Sequence, residues 1–525
     1  MPVLNWIGKD KVVNHDRELP FRILKPVKES SVGENNENLL IQGDNLEALK
    51  ALMPFYYGKI KCIYIDPPYN TGNEGWVYND KVNSPQIKSW LNKVVGAEGE
   101  DLCRHDKWLC MMYPRIKLLR ELLRDDGLIF ISIDNNEAVY LKTICDEIFG
   151  GQNFVTQVAW KNKYGPGALT KGFGNINEFI LCYSKSPIQS IDAPLSENEI
   201  KKYKLKDDKY SVRGGYITQP LATKSKDDRP NLVYPIIYQN ENIWPDKQWI
   251  WSKSRTEEAL KKDELVIRKN KEKWSVRFKQ YLKDENGKMR AGKPLSILLG
   301  PFNQEGTNEI RSLFGSVVFN NPKPTKLVKY LFSMIVNGNT DKEGIYLDSF
   351  AGSGTTGQAV MELNKEDSGN RKFILVELEK EIAKNITAKR LEKVVKGYEG
   401  AKFPEGTGQG FKYLDLNGEL YDYSGFVNPH AKYEDMAAYI YFTETRKYLD
   451  ITTIKSPLIG SKGSTHYFLF FKEKGKNVLD EETLKKTDGL KGTKVIYADK
   501  CLLDSEDLEK LGIIFKQIPY ELKKY

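Results

Sequence analysis

Apolar positions along the chain follow two alternating rhythms. Unbroken apolar runs rich in β-branched and aromatic residues predict buried strands at Leu39–Ile41, Ile60–Ile65, Leu128–Ile133, Phe154–Trp160, Glu178–Tyr183, Ile345–Leu347 and Lys372–Val376. Between them the spacing turns helical, as in Trp108, Met112, Ile116, Leu119 and Leu123 before the stop at Gly127. Asp134-Asn135-Asn136-Glu137 predicts an N-cap with an acid three positions on, opening a helix to about Phe149. Apolar strands alternating with helices predict an α/β fold with a parallel sheet covered on both faces.

The rhythm breaks over residues 186–300, which read as an insert. The Pro-flanked run Val233–Tyr238 and the Lys/Arg-rich stretch to Lys283 predict mixed, mostly β structure. It resumes at Phe302–Thr307 and at Asn321–Lys326, which opens a helix. Residues 1–38 are polar and irregular, an arm with Trp6, Ile7, Phe21 and Ile23 as anchors. Residues 399–525 hold two strand-like runs, Tyr467–Phe471 and Thr493–Ala498, each followed by a charged helical stretch. They read as a small α/β interaction or dimerisation module. The expected domains are therefore 1–38, 39–185, 186–300, 301–398 and 399–525.

Composition narrows the class. Of 525 residues, 40% are apolar and 29% charged, the balance of a soluble globular protein. No run of eighteen apolar residues occurs, so no membrane span is expected, and Met1–Trp6 lacks the pattern of a secretory signal. Six cysteines without a CxxC pair and four histidines without zinc spacing point to a reducing, cytoplasmic compartment and no metal. The net charge is +9, and residues 191–300 hold 24 Lys and Arg against 16 Asp and Glu, interleaved with eleven aromatics. That mixture suits phosphate and base contact, and it equally suits a basic surface over an ordinary aromatic core.

Chemistry concentrates at two strand ends. The run Ile60–Ile65 stops at Asp66-Pro67-Pro68-Tyr69, where the prolines cannot continue the ladder. The strand thereby presents a carboxylate, a carbonyl freed from pairing and an aromatic ring, the parts that grip a planar base bearing an exocyclic amine. A Gly/Asn-rich loop from Asn70 to about Asn83, with Trp76, Tyr78 and Asp80, is a candidate lid. The run Ile345–Leu347 leads into Asp348-Ser349-Phe350-Ala351-Gly352-Ser353-Gly354-Thr355 and then a helix over Gln358–Leu363. Gly352 and Gly354 allow close backbone approach to a ligand, and the helix start offers amide donors. Glu377 ends the next strand some twenty residues on, where Rossmann-like sheets place an acid for ribose hydroxyls. After Gly43, Asp44 or Asn45 serves either as a helix cap or as a ligand acceptor at the sheet edge.

With those residues in that order, the chain resembles the β-class amino-methyltransferases of DNA, a circularly permuted Rossmann-like fold with an inserted target recognition domain. Asp66–Tyr69 matches the family's DPPY motif and Asp348–Thr355 its FxGxG motif. The wider stretches Ile63–Asp80, Trp108–Asn136, Gly306-Thr307 and Asn320–Lys326 resemble modification subunits of type III restriction–modification systems. The resemblance implies S-adenosylmethionine as cofactor, and a flipped adenine in duplex DNA as target. It implies Asp66, Pro67, Pro68 and Tyr69 at the reacting amine. It implies Asp348, Phe350, Gly352, Gly354 and Thr355 around the methionine end, Glu377 at the ribose, Asp44 and Asn45 at the adenine, and Asn321, Lys323 and Pro324 over the carboxylate. Here Phe319-Asn320-Asn321-Pro322-Lys323-Pro324 replaces the commoner His-Pro-Thr-x-Lys-Pro. A homodimer, a helicase/nuclease restriction subunit as partner, and a bacterial or archaeal cytoplasm with nucleoid association complete the implied picture. The alternatives are cytosine-N4 methylation, against which the aspartate of DPPY leans, and a recognition subunit serving a partner nuclease. Methylation of RNA or of a protein amide fits less well, because those enzymes place the cofactor motif first.

Overall fold

Ile60–Ile65 is buried at every position, as a strand covered on both faces requires. A computed structural model describes residues 3–33, 37–71, 104–167, 171–225, 227–271, 273–449, 454–472 and 474–522. The chain divides into two units, Met1–Ser190 with Leu295–Tyr525, and Ile191–Pro294. The Trp76, Tyr78 and Asp80 loop lies outside the described residues.

The larger unit is built on β1 (Phe21–Pro26), β2 (Leu39–Gln42), β3 (Ile60–Ile65), β4 (Leu123–Ile133), β5 (Phe154–Lys161), β6 (Asn177–Ser184), β7 (Ile297–Leu298), β8 (Ile345–Asp348), β9 (Lys372–Glu377) and β10 (Lys412–Tyr421). These form one sheet in the order β1-β10-β2-β9-β8-β3-β4-β6-β5-β7. The six strands from β10 to β4 run parallel to one another. The main helices are α1 (Asn45–Tyr56), α2 (Arg104–Leu122), α3 (Ala138–Phe149), α4 (Asn303–Phe314), α5 (Thr325–Phe332), α6 (Thr355–Asp367), α7 (Ala388–Lys396) and α8 (Tyr433–Thr445). From β3 the chain passes through α2 to β4 on one side; from β8 it passes through α6 to β9 on the other. Neighbouring strand ends thus diverge at β3 and β8, the crevice where open α/β sheets bind ligands.

Four features depart from the sequence reading. Phe21–Pro26, expected in an arm, pairs antiparallel with β10 and buries Ile23 and Leu24. Lys412–Tyr421, expected in a separate tail module, lies between β1 and β2 in the main sheet. Both strands sit toward the sheet edge, where only part of the strand is covered and the apolar signal is diluted. β6 is antiparallel to β4 and β5, so the sheet is mixed. Leu123 begins β4 rather than ending the preceding helix, pairing with Ile60. Farther along, a separate sheet orders Leu458–Lys462, Thr465–Leu469, Thr493–Ala498 and Ile513–Gln517.

In the smaller unit, Tyr216–Pro220, Lys273–Tyr281 and Leu265–Asn270 form an antiparallel sheet, with a helix at Lys253–Lys261. Its core gathers Leu221, Tyr234, Ile236, Ile243, Trp249, Leu265 and Val276. Several of the aromatics read from the sequence as base-contact candidates are therefore core residues; Trp244 is 58% exposed.

Gly43 carries the turn from β2 into α1 at φ +151°, and a Cβ there would stand 2.7 Å from the Leu416 Cβ on β10. Both the left-handed backbone and the close approach require glycine. Gly43→Ala should lower unfolding stability by about 1–3 kcal/mol through overpacking, read as a lower denaturant midpoint with an unchanged slope.

Candidate active site

β3 delivers Asp66 at its carboxyl end, and the two prolines that follow turn the chain out of the sheet. Trp108 on α2 donates its indole N–H to the Pro68 carbonyl at 2.7 Å, which fixes the turn. The Pro67 carbonyl accepts no hydrogen bond among the described residues. Asp66 Oδ1 accepts from the Tyr69 hydroxyl at 2.9 Å, and Oδ2 accepts from Lys323 Nζ at 2.7 Å. Burial pushes the Asp66 carboxyl up, and the Lys323 ammonium opposes it.

β8 delivers the glycine turn beside it. Asp348 Oδ1 accepts the Phe350 N–H and Oδ2 the Thr356 hydroxyl, so this carboxyl shapes the turn it opens. Gly352 and Gly354 both take positive φ, at +50° and +84°. A Cβ on Gly352 would meet the Phe319 ring at 3.0 Å, and one on Gly354 would meet Thr387 at the same distance. Glu377 Oε2 accepts the Gly352 N–H at 2.8 Å, and Oε1 accepts the Glu379 N–H. Burial raises the Asp348 and Glu377 carboxyls to about 7.

The two strand ends share one cavity of ≈ 370 Å³, within the ~300–1,000 Å³ typical of small-ligand sites. Asp66, Pro67, Pro68 and Tyr69 line it, together with Asp348, Phe350, Gly352, Thr355, Glu377, Asn45, Asn321 and Lys323. Asp44, Gly354 and Pro324 are not among its lining residues. Asp44 is the N-cap of α1, accepting from the Leu46 and Glu47 amides, and its other oxygen meets Arg115 at 3.2 Å. Asn45 donates instead to the Ser349 carbonyl at 2.9 Å, tying α1 to the glycine turn. Lys323, expected over a cofactor carboxylate, is paired with Asp66.

Several residues here carried no sequence signal. Glu178 on β6 lies 3.0 Å from the Tyr69 hydroxyl, whose single proton it shares with Asp66 Oδ1, accepts from Asn162 at 2.6 Å, and lies 3.7 Å from Lys323 Nζ. Arg390 is fully buried and reaches Gln358, Ser353, Thr355, Glu309 and Thr325. A π-helical turn at Ala383–Thr387 lets Thr387 donate to the Gly352 carbonyl at 2.6 Å; such turns recur at functional sites. Glu137, expected as the acid of a cap opened by Asp134, itself stands at the N-cap of α3, which begins only at Ala138, and makes no capping bond. Its Oε1 instead meets His105 Nδ1 at 2.6 Å and accepts from the Asn70 amide, which holds the residue after the motif at φ +56°.

Residues 60–389 match the N6/N4 methyltransferase family, described as DNA methylase. The chain belongs to this DNA methylase family. It is similar to the type III restriction-modification enzyme StyLTI Mod subunit of Salmonella typhimurium, 34% identical over 74% of this chain and 60% of that one. The EcoPI Mod subunit of Escherichia phage P1 is 32% identical over 75% of this chain and 68% of its own. The type II methyltransferase M.KpnI of Klebsiella pneumoniae is 30% identical over 68% of this chain and 84% of its own. The chain thus spans 60–68% of the length of the Mod subunits named. The matched region contains both strand ends and every residue of the cavity described above except Asn45.

Glu137 is fully buried, its Oε2 finds no partner among the described residues, and burial raises its carboxyl to about 8. A carboxyl raised in the folded state binds more protons there than in the unfolded chain, so stability falls as pH rises toward that value. Between pH 7 and 8 this group should remove about 1 kcal/mol of stability. Glu137→Gln should abolish that decrement, measured by denaturant unfolding at the two pH values; an unchanged decrement assigns it elsewhere.

Proposed function

We propose that the chain is a site-specific DNA methyltransferase that moves a methyl group from S-adenosylmethionine to adenine N6. The observation that carries the reading is one cavity in which Asp66 faces the Asp348–Thr355 glycine turn across the β3/β8 divergence. The residues present suit the cofactor. Gly352 leaves a hollow that a Cβ would fill against Phe319, and the buried Ser349 hydroxyl has no partner among the described residues. Asp66, Asp348 and Glu377 line the cavity as carboxyls raised by burial, and a cationic ligand beside them would favour their ionised form. When bound, S-adenosylmethionine supplies a methyl group carried on a positively charged sulfur.

The chain's own residues do the positioning. An aromatic amine is a poor nucleophile because its lone pair is delocalised into the ring. Asp66 and the unengaged Pro67 carbonyl can each accept one amine hydrogen, which turns the lone pair out of conjugation. Acceptors fixed in advance in a partly buried site need no reorganisation at the moment of reaction. Proximity and alignment then dominate over acid–base work. Extruding a base costs a few kcal/mol, of which stacking on Tyr69 can return about 1–3 kcal/mol. The basic Ile191–Pro294 unit is the proposed target recognition domain. The similarity to Mod subunits supports a modification subunit with a restriction subunit as partner; a cytoplasmic location and a dimer of two copies belong to the same proposal.

Labelled cofactor, duplex DNA and digestion to nucleosides test the base: N6-methyladenine is expected, and N4-methylcytosine would sink the adenine assignment. Asp66→Ala should cut transfer by roughly 100–1,000-fold, by analogy with loss of one preorganised group, while DNA binding persists. Lys323→Met removes the charge that opposes the upward push of burial on Asp66. The acid limb of the pH–rate profile should therefore move to higher pH; a limb that stays in place would show that Lys323 does not set the charge on Asp66.

A further inference from the structure

The amino ends of the parallel strands open into a second cavity of ≈ 290 Å³. β9 runs from Lys372 at this cavity to Glu377 at the active site, about 17 Å at ~3.3 Å per residue. The two cavities are therefore separate sites on opposite edges of one sheet. Lys59, Lys372, Lys412, Arg446, Lys447 and Lys462 line the second one, against a single acid among the described residues, Glu37.

Ordinary surface pairing does not account for this set. Lys372 lies 3.8 Å from Glu37, and Lys462 donates to the Thr445 carbonyl. Lys59 donates to the Phe55 carbonyl, Lys412 faces the Tyr448 ring and Arg446 the Phe55 and Phe442 rings, yet neither these nor Lys447 meets a carboxylate among the described residues. Burial, then the neighbouring Arg446, lowers the Lys59 amine; burial, then Lys447, lowers that of Lys412. The dipole of α8 favours a cation just past its carboxyl end, which explains one of Arg446 and Lys447. It does not explain Lys59 and Lys412, which come from other elements. Arg446 also occupies φ +58°, a helix-ending position that glycine or asparagine usually fills. Between the cations the cavity wall includes Phe55, Tyr56 and Tyr448.

We propose that this cavity binds a nucleotide, with the phosphates on the cations that meet no carboxylate and the base on the aromatic wall. Charge-assisted contacts from several cations suit a compact polyanion, and the volume is that of a small-molecule site rather than a track for a duplex.

Titration calorimetry on the full chain with ADP, inorganic pyrophosphate and adenosine separates the contributions. One ADP per chain is expected, with weaker pyrophosphate and no adenosine binding. Arg446→Glu and Lys447→Glu, both at exposed side chains, should each weaken ADP at least tenfold, whereas Phe350→Ala in the other cavity should leave it unchanged. Lys412→Gln should weaken ADP and, without ligand, shift the unfolding midpoint upward by relieving like-charge repulsion. No saturable ADP binding, binding indifferent to both rim reversals, binding lost with Phe350→Ala, or an acidic peptide displacing ADP more tightly than pyrophosphate does, would each overturn the proposal.

Discussion

Parallel pairing of β3 with β8 is the contact on which the active site depends. Its register sets Leu347 opposite Ile63, so the carboxyl ends of both strands finish at the same edge. Asp66 and the glycine turn are distant in sequence and meet only because these two strands are neighbours. Their apolar residues are buried in the sheet core, which gives the pairing its driving force. A slip of one residue would turn each strand's side chains to the opposite face. The site is therefore a by-product of core packing, and its precision is that of the sheet.

A buried cation then fixes the glycine-turn side of the cavity. Arg390 has five N–H groups, and the structure supplies an acceptor for each: Gln358 at Nε, Ser353 and Thr355 at one terminal nitrogen, Glu309 and Thr325 at the other. Through them it joins the glycine turn, α4 and the start of α5. Burial alone would disfavour the guanidinium, and it pushes the Arg390 pKa down. Complete hydrogen bonding and the Glu309 carboxylate compensate, as a buried charge requires. The loop carrying Phe319 to Lys323 is thereby held against the turn: Thr355 also donates to the Lys323 carbonyl at 3.1 Å.

This division explains what could be read in the sequence. Asp66 and the glycine turn were legible because apolar runs stop abruptly at residues that cannot continue a strand. Order along the chain, with the insert between, carried the family. The edge strands β1 and β10 were not legible, because half-covered strands have no clean apolar run. Asp44 was ambiguous for a physical reason: a strand-end acid before a helix serves equally as cap or ligand, and here the cap is made. Glu178 and Arg390 act through partners far away in sequence, which neither residue's own element announces, and Glu137, which reads as a capping acid, is turned instead to Asn70 and His105. Lys323 was found as a site residue, yet its pairing with Asp66 depends on a tertiary contact across 257 residues.

That pairing bears on how a substrate amine could enter. Asp66 and Glu178 share one ammonium and one phenol: Lys323 and Tyr69 stand between them. An amine that takes over Asp66 Oδ2 must displace Lys323, and leaving that ammonium buried without a partner would cost several kcal/mol. Glu178 Oε2 is 3.7 Å from Nζ, so a shift of about 1 Å completes a hydrogen bond of ordinary length. Asn162 holds the other Glu178 oxygen at 2.6 Å and keeps the acceptor in place. The second carboxylate thus keeps the lysine paired while the first changes partner, and the exchange strands no charge.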